Sequence, residues 1–180
     1  GSFRYKGISN VFDSLPAEFL FTVSQDDIAG TVDLVFESEQ RQEVGVSFLM
    51  TGPYSAFCLV AMPKGSYSEE LRSDLEEHII TKLGATYSDN GLYVGRFDTV
   101  LAYFYLTGVQ KPDADGLTVL RNELRDLATP WVARLWTALS EAEGDEVADR
   151  LTDVYGRAFP ESWMRVNDAD RAVIDIGHLE

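Results

Sequence analysis

The residues that could carry out chemistry are few and widely separated along the chain. The two histidines, His78 and His178, lie far apart, and the single cysteine, Cys58, lies inside an apolar run. Protein metal sites need several His, Cys, Asp or Glu ligands, and no C-x-x-C, H-E-x-x-H or calcium-loop pattern is present. The sequence therefore predicts no metal site, and we expect His78 to be a packed or surface histidine on an amphipathic helix.

The best local candidate for a binding site follows Pro63, between a predicted strand and a predicted helix. Backbone N–H groups at the start of a helix attract anions, and a lysine beside them adds positive charge. We therefore consider Lys64, Gly65 and Ser66 as an effector-binding site for a small carboxylate. The alternative, which the residues favour, is an ordinary connection that caps the next helix.

Nucleotide-binding and catalytic motifs are missing from the sequence. The glycines form neither G-x-G-x-x-G nor a Walker loop, and no serine lies in a nucleophile elbow. Glu69-Glu70 and Glu76-Glu77 are carboxylate pairs, but on an amphipathic helix of an acidic protein we expect them to be solvated. The prediction is that this segment has no catalytic residue and binds no cofactor.

Composition and charge exclude several classes of protein. The chain has 180 residues, 45% of them hydrophobic, which is enough for a folded core. Its 30 acidic and 15 basic residues give a net charge of −15, so a nucleic-acid partner is not expected. No apolar run approaches the roughly 20 residues that span a bilayer, so no membrane partner is expected either. One cysteine and no secretory signal predict a reducing, cytoplasmic location.

The first part of the chain has the apolar spacing of helices. Residues Tyr5–Ser14 predict a helix that ends at Pro16. Ser24 and Asp27 resemble a capping box, and a second helix is predicted from there to about Glu39. We group residues 1–42 as an N-terminal helical segment. The leading Gly1-Ser2 is interpreted as a cloning scar.

The middle of the chain has the apolar spacing of strands. Alternation from Val44 to Met50 and the continuous apolar run Ala56–Met62 predict a β-hairpin. Residues Thr99–Leu106 predict a further strand. Before that strand, residues 85–94 are either a second hairpin that turns at Asp89-Asn90-Gly91 or one irregular strand broken by a turn.

Helices follow each of these strand pairs. A stripe of leucine and isoleucine from Leu71 to Leu83 predicts a helix that Ser66 or Ser68 caps, and everything from Leu117 onward is predicted to be helical. In the helix after Pro130, the spacing places Val132 and Trp136 inward together with leucines. The last helix runs into His178-Leu179-Glu180 with no basic last turn, so we expect this end to be the boundary of an excised piece.

Two hairpins, each followed by a helix, predict an α+β fold. We expect a four-stranded antiparallel sheet in ββαββα order over residues 43–129, ferredoxin-like, with both helices on one face. A C-terminal helical extension covers residues 130–180. The second face of the sheet must be covered by the flanking helices or by another sheet, and the sequence does not choose between them.

An ordered set of short phrases links the chain to a known family. These phrases are Lys6-Gly7-Ile8 with Phe12–Pro16 and Leu20-Phe21, Tyr54–Lys64 with Tyr67–Arg72, Trp131 with Leu135 and Leu139, Tyr155 with Ala158–Pro160, and Ala172 with Asp175-Ile176 and Leu179-Glu180. Together they resemble the amino-terminal regulatory region of the large-subunit NAD-specific glutamate dehydrogenases, over nearly the whole chain.

The resemblance implies a function for the parent protein and a role for this segment. The parent would convert L-glutamate, NAD and water to 2-oxoglutarate, ammonium and NADH, as a cytoplasmic homo-oligomer whose NAD site lies elsewhere. This chain would be the second ACT-like domain, a regulatory sheet without catalytic residues. Its expected partners are other domains and subunits of the same enzyme, or a small amino or carboxylic acid effector. A stand-alone small enzyme is the third hypothesis.

Overall fold

A computed structural model describes residues 17–94, 98–164 and 166–180, so the helix predicted over Tyr5–Ser14 lies outside the described residues. The described helices are α1 (Ala17–Thr22), α2 (Gln25–Arg41), α3 (Glu69–Leu83), α4 (Ala114–Ala128), α5 (Trp131–Glu143), α6 (Asp145–Tyr155), α7 (Glu161–Met164) and α8 (Ala169–Gly177), and the strands are β1 (Gly45–Gly52), β2 (Ser55–Pro63), β3 (Tyr87–Val94) and β4 (Thr99–Thr107). A short 3₁₀ helix, Lys64–Ser66, joins β2 to α3. The chain divides into two compact units, the first ending at Ala128 and the second comprising Thr129–Glu180. The functional division at residues 42 and 129 stays a prediction.

The four strands form one antiparallel sheet in the order β1-β2-β4-β3. The two central strands are the most apolar, and every residue from Ala56 to Met62 is buried. Pro53 and Tyr54 form the turn between β1 and β2, which makes these strands the predicted hairpin. The predicted α+β fold, with its four-stranded antiparallel sheet, is confirmed.

Two helices cover the first face of this sheet. Leu75 and Ile79 of α3 and Leu120 and Leu124 of α4 pack on alternate residues of the strands, Phe104 among them. These side chains are 0–2% exposed, so each contributes about 1.5–3 kcal/mol by leaving water. Burial on this scale holds both helices on one face, as predicted.

A flanking helix covers the second face. Val32 and Val35 of α2 pack on Phe57 and Leu59 of β2 and on Leu101 of β4. Of the two alternatives for covering this face, a flanking helix is therefore the one that the structure shows. The tyrosines at the β3 side of this face remain partly or largely exposed.

The ends of these helices follow from their capping residues. The Ser24 hydroxyl accepts a hydrogen bond from the Asp27 N–H at 3.2 Å and donates to its carboxylate at 2.7 Å. Ser68, rather than Ser66, caps α3 by accepting from the Leu71 N–H at 3.1 Å. The helix ends at Gly84, whose φ of 64° lies in the left-handed region that glycine adopts without strain.

The predicted turn at Asp89-Asn90-Gly91 is wrong. These residues lie in the middle of β3, which pairs with β4 continuously from Tyr87 to Val94. Tertiary contacts outweigh the turn propensity of these residues, because Asn90 is bound by α3 and Gly91 lies against the ring of Tyr103. The second hairpin therefore consists of β3 and β4 themselves.

The second unit is a small helical cluster. Leu135 and Leu139 of α5 pack with Leu151 of α6 and with Ile176 of α8. Val132 and Trp136 are 42% and 36% exposed, so the prediction that they point inward is wrong. The Trp136 indole N–H instead donates to the Asp149 carboxylate at 2.7 Å, which lets its polar atom reach the surface.

Candidate functional site

The residues predicted to bind an effector lie together at the turn between β2 and α3. The Lys64 N–H donates to the Asp98 carbonyl at 2.7 Å, and the Tyr67 N–H donates to the Lys64 carbonyl at 3.3 Å. Lys64 and Gly65 are exposed, and a Cβ added at Gly65 would meet nothing within 4 Å. This turn is accessible to a small molecule.

The start of α3 beside this turn is negatively charged. Glu69 and Glu70 lie in the first helical turn, and the Ser68 hydroxyl already accepts from one of the N–H groups that an anion would use. The Tyr67 hydroxyl donates to Glu69 at 2.6 Å. A carboxylate ligand would meet these acidic groups, so the local charge does not favour it. Effector binding at Lys64, Gly65 and Ser66 stays a prediction.

A polar network that the sequence did not predict joins α3 to β3. Arg72 donates to Glu69 at 2.9 Å and to the Asn90 side-chain oxygen at 2.5 Å, and the Asn90 amide donates to Glu76 at 2.9 Å. Hydrogen bonds from Tyr67 and then from Arg72 lower the pKa of Glu69. The network fixes the position of β3 against α3.

Strand β3 is an open edge of the sheet. It comes last in the strand order, and among the described residues no strand pairs along its outer side. Four large side chains on it are exposed: Tyr87 (59%), Leu92 (41%), Tyr93 (41%) and Val94 (52%). Asp89 is its single charged residue. Long apolar edge strands with few charges are where another strand can pair.

The opposite edge, β1, is covered. Val46 and Phe48 are 3% and 2% exposed. Arg121 of α4 donates to the Phe48 backbone carbonyl at 3.1 Å. On the other face, the hydroxyls of Thr31 in α2 and Ser47 share a buried hydrogen bond of 2.9 Å. The two edge strands therefore differ: β1 is buried beneath helices and has one carbonyl bound by Arg121, whereas β3 exposes large side chains.

The side chains that could take part in chemistry are engaged in contacts that hold the fold together. The Glu123 carboxylate of α4 binds His78 at 2.8 Å and Lys82 at 2.6 Å, both on α3. The hydrogen bond from Lys82 is the largest cause that lowers the pKa of Glu123. Burial raises the pKa of the Cys58 thiol to about 12, although Arg121 partly opposes this. These contacts join the two helices and fill the core beneath them.

In the described ranges 17–94, 98–164 and 166–180, no cluster of three or more His, Cys, Asp or Glu residues could hold a metal ion. Within the same ranges, no helix has the length and apolar character to cross a membrane.

The second unit has its own cavity and aromatic cluster. A cavity of about 220 Å³ is lined by Leu139, Val147 and Arg150, and Arg150 is paired with Glu180 at 2.8 Å. Because its one basic group is already neutralised, this cavity has no charge left for an anion. The cluster of Trp131, Phe159 and Trp163 consists of rings 4.6–6.0 Å apart, an ordinary packing distance.

Fold and surface together define a class: an α+β open-sheet domain whose distinguishing surface is the exposed edge strand β3, followed in the chain by a helical unit. Comparison with known proteins adds a family likeness. A family model described as "Glutamate dehydrogenase, helical motif 2" matches residues 138–180, which lie in the second unit.

Two relatives cover nearly the whole chain. The NAD-specific glutamate dehydrogenase of Halomonas elongata is 28% identical over 177 residues, and that of Pseudomonas aeruginosa is 25% identical over 179 residues. Each alignment covers 97% of this chain but 11% of the relative. These matches confirm the resemblance to the NAD-specific glutamate dehydrogenases that the short sequence phrases indicated. The chain spans about a tenth of the length of these relatives.

Proposed function

We propose that this chain is a non-catalytic, architectural and regulatory segment of an NAD-specific glutamate dehydrogenase, and that its sheet is the second ACT-like domain of the regulatory region. The observation that carries the proposal is the contrast between the two sheet edges. At β1 the side chains are buried and Arg121 binds the Phe48 carbonyl, whereas β3 exposes four large apolar side chains. Such an edge serves contacts with other domains and subunits of the same enzyme.

The reaction belongs, in this proposal, to other parts of the parent enzyme. The parent converts L-glutamate, NAD and water to 2-oxoglutarate, ammonium and NADH in the cytoplasm, and NAD binds in its catalytic domain. Support comes from the roles of the reactive groups in this segment. His78 binds Glu123 between two helices, and the Cys58 thiol is buried with a raised pKa. No nucleic acid and no membrane are among the proposed partners, in keeping with the charge of −15.

A substitution at the open edge of the full-length enzyme tests this function. Tyr93→Glu places a charge on the edge without entering the core, and Tyr54→Glu, on the exposed β1–β2 turn, is the matched control. We expect Tyr93→Glu to alter subunit assembly or the response to regulators, with kcat/KM unchanged in the correctly assembled fraction. A normally assembled enzyme that loses kcat would contradict a non-catalytic role, as would turnover of glutamate with NAD by the 180-residue chain alone.

Effector sensing is the second candidate function. The exposure of Lys64 and the open space at Gly65 favour it, because a small amino or carboxylic acid could reach the turn. Titration of this chain with amino acids and dicarboxylic acids in a calorimeter tests for the effector site, and Lys64→Ala is the comparison variant. Saturable heat that Lys64→Ala abolishes would support a site at Lys64–Ser66. Heats that stay flat across the set, or that survive in Lys64→Ala, would reject it.

A further inference from the structure

We propose that the cavity of the second unit binds an α-amino acid with an aliphatic side chain, such as leucine, isoleucine or valine. The cavity is lined by residues of α5, α6 and α8, together with Glu180 beyond the end of α8. The side chain of the amino acid would lie between the helices, and its ammonium and carboxylate groups would stay at the mouth. This inference goes beyond the proposed function, because none of the lining residues belongs to the sheet.

The walls of the cavity are aliphatic. Leu139 of α5, Leu151 of α6 and Ile176 of α8 are 1–4% exposed, and Val147 and Val173 are partly buried beside them. A charged group placed between such walls would lose its hydration without gaining a partner, whereas a hydrocarbon chain gains free energy by leaving water. The walls therefore favour an apolar side chain.

The volume of the cavity limits the size of the ligand. At about 220 Å³ it is smaller than the roughly 300–1,000 Å³ of pockets for drug-sized molecules. Apolar cavities of about 150 Å³ already accept benzene, which has six carbons. A side chain of three or four carbons therefore fits, whereas a dinucleotide such as NAD is far too large.

The charged residues of the lining match a zwitterion. The Arg150 and Glu180 side chains are 59% and 37% exposed, which places them at the mouth, and they are joined at 2.8 Å. Hydrogen bonds from Arg150 and then from Tyr155 lower the pKa of Glu180, so its carboxylate is charged at neutral pH. The exposed Glu143 side chain forms no ion pair with another described residue, so it can accept an ammonium group. Arg150 has five N–H donors and keeps several for a ligand carboxylate.

The same charges disfavour other classes of small molecule. A carboxylic acid without an ammonium group would meet two carboxylates and an arginine that is already paired. An aliphatic amine would leave the remaining donors of Arg150 unused. Glutamate would place its second carboxylate between the aliphatic walls. An aliphatic amino acid is the class that uses the walls, the basic group and the acidic groups together.

Methyl NMR of the isotopically labelled 180-residue chain tests the location of the site. Titration with L-leucine should shift the methyl resonances of Val147, Val173 and Ile176 in a saturable way, and should leave those of Leu75 and Ile79 in the first unit unchanged. L-alanine should bind at least tenfold more weakly, because each buried methylene contributes about fourfold. The absence of saturable shifts, or shifts confined to the first unit, overturns the proposal.

Analogues of leucine test the recognition of both charges. Isocaproate lacks the ammonium group, isoamylamine lacks the carboxylate, and L-glutamate has a charged side chain. Each should bind at least tenfold more weakly than L-leucine, because each loses a charge-assisted hydrogen bond or must desolvate a carboxylate. Binding of any of the three as tightly as L-leucine overturns the assignment of an aliphatic amino acid.

Two variants test the residues of the site. A Cβ added at Gly177 would meet nothing within 4 Å, and its backbone is not left-handed, so Gly177→Leu should fold and obstruct the cavity. Arg150→Gln removes the guanidinium, whereas Arg157→Gln changes an exposed arginine of the same unit outside the lining. Gly177→Leu and Arg150→Gln should each weaken leucine binding about tenfold or more, and Arg157→Gln should not. Circular dichroism checks that each variant is folded. Unchanged binding in folded Gly177→Leu or Arg150→Gln overturns the proposal.

The full-length enzyme provides the last test. Equilibrium dialysis with labelled L-leucine should detect binding that Gly177→Leu removes, whereas leucine held at a catalytic site would survive that substitution. Leucine binding that appears in the 180-residue chain but shows no dependence on Gly177 in the enzyme overturns the proposal. These results leave the Tyr93→Glu test of the architectural function unaffected, because β3 and the cavity belong to different units.

Discussion

Gly91 occupies a position in β3 where the structure leaves no room for a side chain. A Cβ added there would lie 2.3 Å from the hydroxyl oxygen and 2.4 Å from Cζ of Tyr103, on the neighbouring strand. The Tyr103 ring itself stacks on Phe57, with centroids 5.9 Å apart and planes 15° apart. In the variant Gly91→Ala, the ring must therefore move, and the stack on Phe57 moves with it.

The expected change in the free energy of unfolding is the difference between two opposing effects. Overpacking that forces a neighbouring side chain to shift costs about 1–3 kcal/mol. Replacing glycine by alanine in a regular strand restores about 0.5–1 kcal/mol of conformational entropy. The overpacking is larger, so Gly91→Ala should destabilise the first unit by about 1–2 kcal/mol. Gly65→Ala is the matched control, since its Cβ would meet nothing within 4 Å. It should be neutral or slightly stabilising.

Hydrogen exchange of peptides from β3 and β4 is the appropriate assay. The chain has two compact units, and exchange in these strands reports the opening of the first unit separately from the second. In a Tyr103→Ala background the obstruction is gone, and Gly91→Ala should then stabilise the strands. The double-mutant cycle should give a coupling of roughly 2 kcal/mol. Equal effects of Gly91→Ala with and without the Tyr103 ring would refute the reasoning.

Three further predictions concern the first unit. With its pKa raised to about 12, the Cys58 thiol should resist iodoacetamide at about pH 8 in the folded chain and react on unfolding; native reactivity would contradict its burial. Glu123→Gln should cost about 0.5 kcal/mol at about pH 7, since the Glu123 and Lys82 side chains are 32% and 43% exposed. The pKa of Glu123 is lower folded than unfolded, so its contribution is complete above the ordinary value of 4.5 and is lost as pH falls below it. The stability difference from Glu123→Gln, measured by urea unfolding, should therefore shrink from about pH 5 to about pH 3, and a difference that grows over that range would be the wrong sign. Ser68→Ala should destabilise α3 by about 1 kcal/mol in thermal unfolding while Ser66→Ala does not, because only Ser68 accepts from the Leu71 N–H; equal losses would place the cap elsewhere.

Sequence patterns predicted the elements whose local and tertiary preferences agree. The run Ala56–Met62 is apolar at every position and became a central strand buried on both faces. Ser24 with Asp27 predicted the start of α2, because capping depends on residues close in the chain.

The errors and omissions came from contacts between residues distant in the chain. Asp89-Asn90-Gly91 has turn chemistry, but the strand is held by Arg72, eighteen positions before Asn90, and by pairing with β4. The closed edge depends on Arg121, which is seventy-three positions from the carbonyl of Phe48. No local pattern encodes either contact. The open edge could have been anticipated only once the strand order was known, since Tyr87, Leu92 and Tyr93 look like ordinary strand residues.

The hydrogen bond from the Arg121 guanidinium to the Phe48 carbonyl affects whether another strand can be added to the sheet. A sheet that could accept a strand on both sides could stack copy after copy into a filament, as heterologous contacts do when they do not close. Here one carbonyl of β1 is already bound by a helix of the same chain, so a strand arriving at β1 would have to displace that arginine first. At β3 the large exposed side chains present no such obstacle among the described residues. The two edges of the sheet are in this way unequal for strand addition.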